Sequence, residues 1–225
     1  MRIRDMFNLS PTEPEVGIEI EMEAHRSSAL PTEFSSIYWR AAHDGSLRGN
    51  AVEYVLRQPV PRNKVGTVLV RLQSIFEKYS AVLSPSDRCG VHVHLNMQEE
   101  SFLTTLTTIV LYLTLEDVLV RYCGENRIGN LFCLRSQDAE DMIMALQDCV
   151  KVQHFGPIQS DNYRYASLNC SSLSKYGSLE FRALQTPHDI MTIETWVHIL
   201  LDIKDYAATL NSPLAVLETL SLNGA

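Results

Sequence analysis

The chain has 225 residues, 45% hydrophobic and 20% charged, with a formal charge of −8. Such a length and balance fit a single soluble domain over 1–225 with a sizeable core, and the acidic surplus argues against a general nucleic-acid or anionic-membrane surface. No apolar leader follows Met1-Arg2-Ile3-Arg4-Asp5, so no secretory signal is expected, and five cysteines without a CxxC pair favour free thiols in a reducing, cytoplasmic compartment.

The first strong element is Val16-Gly17-Ile18-Glu19-Ile20-Glu21-Met22-Glu23-Ala24, where apolar and acidic residues alternate. In a strand, side chains point to opposite faces in turn, so Val16, Ile18, Ile20 and Met22 share a core face while Glu19, Glu21 and Glu23 form a row opposite. Packed carboxylates repel one another and resist losing water, so the row is either a wet edge or one wall of a metal site. A Ser- and Pro-containing loop follows, then the turn signal His43-Asp44-Gly45 and a strand over 51–56 carrying Glu53.

Apolar spacing at Val65, Leu69, Leu72, Ile75, Phe76 and Tyr79 predicts a helix over 63–79. The strand over 90–96 repeats the inversion of the first, with Val91, Val93 and Leu95 on one face and His92, His94 and Asn96 on the other. Taken alone, His-x-His is either a pair of ligands aimed at one cavity or two histidines hydrogen-bonded on a polar sheet face. The apolar stretch 101–122 contains five threonines together with Glu116 and Asp117, which favours a buried helix over a membrane span. A helix over 138–150, with Ser136 as its cap, then strands over 166–171 and 178–184 and a helix over 190–210 complete the pattern. In the last strand Glu180 and Arg182 share a face, as an exposed ion pair or as site residues. Strands and helices do not alternate as βαβ repeats, so an α+β layout with a mostly antiparallel sheet is expected.

Three strands each dedicate one face to apolar residues and the other to Glu, His or Arg. One sheet with a dry side and a functional polar side would explain all three. Carboxylates joined by imidazoles suit Mg²⁺ or Mn²⁺, and neighbouring guanidiniums suit phosphate.

The ordered set Gly17-Ile18-Glu19-Ile20-Glu21, Asp44-Gly45-Ser46-Leu47 with Ala51-Val52-Glu53, Gly90-Val91-His92-Val93-His94, Arg164-Tyr165-Ala166-Ser167-Leu168-Asn169 and Leu179-Glu180-Phe181-Arg182 resembles the amidoligase family, carboxylate-amine ligases related to glutamine synthetase and glutamate-cysteine ligase. The resemblance spans about residues 15 to 190. It implies a curved, largely antiparallel sheet whose concave polar face holds ATP and divalent metal, with helices packed on the outer face. On that footing Glu19, Glu21, Glu53, His92 or His94, and Glu180 are the metal ligands, Glu53 lies at the nucleotide–metal site, and Arg164 and Arg182 hold phosphate or an acyl-phosphate. Asp44 approaches substrate or serves only its turn. The implied reaction joins a carboxylate-bearing substrate to an amine-bearing one, each a small molecule, peptide or protein. Related folds assemble into rings, which makes a homo-oligomer an expectation of the same kind. A metal-dependent hydrolase and a non-catalytic binding or assembly protein retaining the fold are the alternatives.

Overall fold

The computed structural model describes residues 1–225 except 25–28, 44–50, 82, 85, 87, 140, 188, 211 and 225. Asp44 and its turn therefore lie outside the described residues. The alternating stretches form strands β1 (Val16–Ala24), β2 (Trp39–Ala42), β3 (Ala51–Leu56), β4 (Leu83–Ser84), β5 (Gly90–Asn96), β6 (Leu168–Asn169) and β7 (Ser178–Gln185). They make one sheet in the order β2-β3-β1-β5-β7-β6, with β4 against the end of β1, and every ladder is antiparallel. The protein is thus α+β. The acidic strand β1 lies inside the sheet, between β3 and β5, so its glutamates do not form an edge.

The α-helices are α1 (Ile3–Phe7), α2 (Val65–Lys78), α3 (Phe102–Cys123), α4 (Met142–Val152), α5 (Ser172–Tyr176), α6 (Met191–Leu210) and α7 (Pro213–Gly224), with short 3₁₀ turns between some of them. The apolar sheet residues Ile18, Ile20, Val91, Val93, Leu95 and Phe181 are fully buried and share one core with Leu69 and Leu72 of α2, Ile109 and Tyr112 of α3, and Trp196 and Leu200 of α6. Tyr112 meets Phe181 edge-to-face at 4.9 Å, and the Trp39 indole of β2 donates to the Val68 carbonyl of α2 at 2.7 Å. Each such side chain contributes about 1.5–3 kcal/mol of burial, which fixes the dry face inward and leaves the polar residues on the other.

In the threonine-rich helix Thr107, Thr108 and Thr114 satisfy their hydroxyls on the carbonyls four residues earlier, while Ser101 accepts from the Thr104 amide as N-cap. Among the described residues α3 is long and apolar enough to cross a membrane, and here it packs on β7, α6 and α7. Three sequence expectations need adjustment. The helix expected over 138–150 begins at Met142, and Ser136 does not cap it: its amide and hydroxyl donate to the buried Glu116 carboxylate of α3. The strand expected over 166–171 shortens to Leu168–Asn169, because the Asn169 side chain turns back to accept from the Ser171 amide. Neither β2 nor the short helices α1 and α5, nor α7, was expected from pattern.

Glu116 also accepts from the Ser167 hydroxyl, which clips the loop after α3 to the start of β6. Burial pushes its carboxyl above the ordinary value, with the hydrogen bonds from Ser167 and Ser136 opposing only part of that push. A carboxyl raised in the folded state keeps its proton longer there than in the unfolded chain, so its contribution to stability falls as pH rises above the ordinary carboxylate range. Glu116→Gln retains an acceptor and cannot ionise. At pH 4 it is expected to lie within about 1 kcal/mol of the wild type, and its stability relative to the wild type should climb between pH 4.5 and 8 in urea unfolding. A difference that stays constant with pH would refute the assignment.

Candidate functional site

The register aligns the polar residues into rows across the sheet. Glu19 of β1 pairs with His92 of β5 on one side and Val55 of β3 on the other, and Glu21 pairs with Glu53. One step along, His94 pairs with Gly17 on β1 and with Glu180 on β7, which in turn faces Asn169 of β6. Gly17 is the residue that makes room: a Cβ there would meet the His94 Cβ at 3.3 Å. At Val91/Val93 the β5–β7 register shifts, so Arg182 and Ala183 together oppose His92. Arg182 shares the polar face with Glu180 by alternation, and the extra residue of the bulge lets both Phe181 and Leu184 stay in the core.

The sequence-predicted residues Glu19, Glu53, His92, His94 and Glu180 meet in two overlapping groups. Ligand atoms of Glu19, His94 and Glu180 lie within 4.8 Å of one another, and so do those of Glu19, Glu53 and His92. Glu19 belongs to both. Its two oxygens face different imidazoles, Oε2 lying 3.3 Å from His92 Nδ1 and Oε1 lying 3.7 Å from His94 Nε2. His94 Nδ1 sits 3.1 Å from the Ser178 hydroxyl, which leaves Nε2 buried without a hydrogen-bond partner. A buried imidazole nitrogen facing carboxylates with its lone position unused fits a cation ligand.

Glu21 is placed differently. It is only 4% exposed, and its Oε2 accepts from the Gly90 amide at 2.8 Å while Oε1 lies 3.7 Å from His92 Nε2. It stands beside the ligand groups, outside both. Glu180, 6% exposed, accepts from Arg182, Asn169 and Ser172, so the Glu180–Arg182 pair is buried and not an exposed ion pair. Arg182 Nη1 also lies 3.3 Å from His92 Nδ1, so that nitrogen either accepts from Arg182 or donates to Glu19. Arg164 does not enter the cluster. It is exposed, its guanidinium stacked 4.5 Å over the Tyr165 ring and donating to the Tyr165 hydroxyl.

Electrostatics match this arrangement. Burial opposes ionisation of Glu19, but the facing imidazoles of His92 and His94 outweigh it and hold the carboxyl well below the usual range. Burial likewise opposes ionisation of Glu180, yet His94, Arg182 and His92 bring it down to about 2. For His94 burial favours the neutral ring, and the carboxylates of Glu19 and Glu180 prevail, raising its pKa. The acids are thus held ionised at neutral pH in a largely enclosed place, which is where an oxygen-preferring cation would be drawn.

The cluster opens on a cleft of about 640 Å³, within the range of small-molecule sites. Glu19, His94 and Ser178 form its inner end, Tyr176 one wall, and Arg40 and Arg57 the far side. Arg40 lies in the same register row as Glu19, two strands away through Val55, or about 10 Å at ordinary strand spacing. Another cleft of about 440 Å³, among α3, α6 and α7, is lined by Leu111, Leu115, Ile203 and Val216 and has none of this chemistry.

Sequence reasoning missed Asn169 and Ser172, which fix Glu180, and Arg88 and Arg127, which approach the cluster from behind. Asn169 ended a motif already singled out and could have been assigned; Arg127 lies in the 3₁₀ turn Glu125–Arg127 after α3, where no periodicity marks it. No protein-family model matches the chain and no curated protein is similar to it, so the functional reading stands on this geometry and on the motif resemblance.

Proposed function

We propose that the protein is an ATP-dependent carboxylate-amine ligase, of the amidoligase kind and with a glutamine-synthetase-like sheet whose polar face is the concave one. The observation that carries the reading is the convergence of Glu19, Glu53, His92, His94 and Glu180 on one sheet face with Arg182 at its border. Glu19 with His94 and Glu180, and Glu19 with Glu53 and His92, would hold Mg²⁺ or Mn²⁺. Such ions, when bound, neutralise the phosphate charges of ATP.

In the proposed reaction a substrate carboxylate attacks the γ-phosphoryl group, giving an acyl-phosphate and ADP, and an amine then displaces phosphate to form the amide. The protein supplies position and charge and needs no covalent nucleophile. Arg182, held by Glu180, presents a guanidinium to the phosphoryl oxygens, while the cleft beyond Glu19 and His94 admits the acid or amine partner.

The test is a screen of acid and amine pairs with ATP and Mg²⁺ or Mn²⁺, read by ADP release and mass detection of amide. Turnover is expected only with metal and both partners, with ¹⁸O passing from the labelled carboxylate to phosphate. Metal-dependent hydrolysis of a preformed amide or ester, without nucleotide and without that transfer, would replace the ligase with a hydrolase that activates water at the same cluster.

A further inference from the structure

His94 is held from three sides. Gly17 on the neighbouring strand leaves it room, since a Cβ there would stand 3.3 Å from the His94 Cβ. The Tyr176 ring, on the cleft wall, meets the imidazole edge-to-face at 6.0 Å. The third contact is Ser178, the first residue of β7, which is 5% exposed and places its Oγ 3.1 Å from His94 Nδ1. Ser178 reaches that place because the chain turns sharply out of α5. Gly177 ends that helix at φ +69°, and a Cβ on it would collide with the Gln98 side chain. Ser178 stands two residues before Glu180, so both project on the polar face.

A serine hydroxyl donates and accepts, so the contact with Nδ1 has two forms. If Ser178 donates, the neutral ring carries its proton on Nε2. That N–H would be buried with nothing to receive it, because Nε2 has no hydrogen-bond partner and Glu19 Oε1 is 3.7 Å away. Unmade buried donors are costly and uncommon. If Ser178 accepts, the proton sits on Nδ1 and is satisfied there. Nε2 then turns a lone pair toward Glu19, inside the group that Glu19, His94 and Glu180 form within 4.8 Å. Lone pairs of an imidazole and of carboxylates meeting in one enclosed place are the donor set of a cation. His92 has no comparable anchor among the described residues. Its Nδ1 lies 3.3 Å from both Glu19 Oε2 and Arg182 Nη1, and its Nε2 lies 3.7 Å from Glu21 Oε1.

We infer that Ser178 is a positioning residue: by accepting from His94 Nδ1 it holds the ring in the form whose Nε2 is free to ligate a cation. Of the two histidines on β5, His94 is then the one with a preset ligating nitrogen. The inference deepens the proposed function and rests on its metal site alone, not on ATP or amide formation. A partner on the far nitrogen fixes both the orientation and the proton of a metal-bound imidazole. A hydroxyl does this without adding a further negative charge beside Glu19 and Glu180.

The test uses the full chain, ¹⁵N-labelled, with Zn²⁺, a diamagnetic ion that takes imidazole and carboxylate ligands. Long-range ¹H–¹⁵N spectra at neutral pH are expected to show the His94 ring proton on Nδ1 and a metal-shifted Nε2, the signals being assigned by their loss in His94→Gln. In calorimetry Ser178→Ala is expected to weaken Zn²⁺ binding about tenfold, the lower end for losing the partner of a metal-bound histidine. Ser178→Thr, which keeps the hydroxyl, should bind close to the wild type, and circular dichroism checks the folding of both variants. A Zn²⁺ complex with the ring proton on Nε2, Ser178→Ala binding as tightly as the wild type, or Ser178→Thr binding no tighter than Ser178→Ala overturns the inference. Zn²⁺ that leaves every His94 signal unmoved removes the metal site and the inference with it. The expected pattern in a protein inactive with every acid and amine pair upholds the role of Ser178 and removes the ligase reading alone.

Discussion

Replacing Glu180 by Gln is expected to lower the unfolding free energy by about 3–5 kcal/mol at pH 7, measured by urea denaturation in the presence of a chelator. The side chain is almost fully enclosed, and Gln keeps acceptor capacity for Asn169 and Ser172 but removes the charge opposite Arg182. The cost therefore falls on a guanidinium left buried without its counter-ion. A second route gives a similar size: a carboxyl lowered from the ordinary 4.5 to about 2 corresponds to about 3 kcal/mol. Because the folded value is the depressed one, this contribution is complete above pH 4.5 and is lost as pH falls toward 2. The wild type should lose stability along that acid limb, and Glu180→Gln should lose less. The double variant Glu180→Gln/Arg182→Met removes both charges and should recover much of the deficit. A single variant within 1 kcal/mol of the wild type, or a double variant no better than the single, would show that the pair is not a buried electrostatic unit.

Much of the sheet was legible because alternation is a local property. Val91, His92, Val93 and His94 announce their faces without reference to any partner, and the dry face then has to meet helices. Pairing is not local. Nothing within Glu19-Ile20-Glu21 says that Glu19 reaches both imidazoles while Glu21 turns to the Gly90 amide; that difference comes from the β1–β5 register and from which strand end is covered. The bulge at Arg182 and Ala183 is likewise invisible, since it exists only relative to β5 and is held by an arginine 55 residues earlier for one of its two carbonyls. Ser136 misled for a related reason. Its position before a helical stretch is a capping signal, but the buried Glu116 competes for its amide and hydroxyl.

The row of acids that opens the chain's chemistry can be separated member by member with metal. Mn²⁺ at a free concentration a hundredfold above its dissociation constant is expected to stabilise the wild type by about 2.7 kcal/mol, through binding to the folded state alone. Glu19→Gln should abolish nearly all of that gain, because both ligand groups contain Glu19 and neither keeps a full set without it. Glu23→Gln should retain it, since Glu23 belongs to neither group although it shares the face and the alternation. In the ligase assay Glu19→Gln should fall at least about a hundredfold, the upper range for losing a supporting residue of a metal site and a lower bound for losing a ligand. Differential unfolding with and without metal decides between the two glutamates without any knowledge of the substrates. Equal loss in both variants would mean that Mn²⁺ responds to the charge of the whole face. An unchanged gain in Glu19→Gln would remove the two overlapping groups as the metal site.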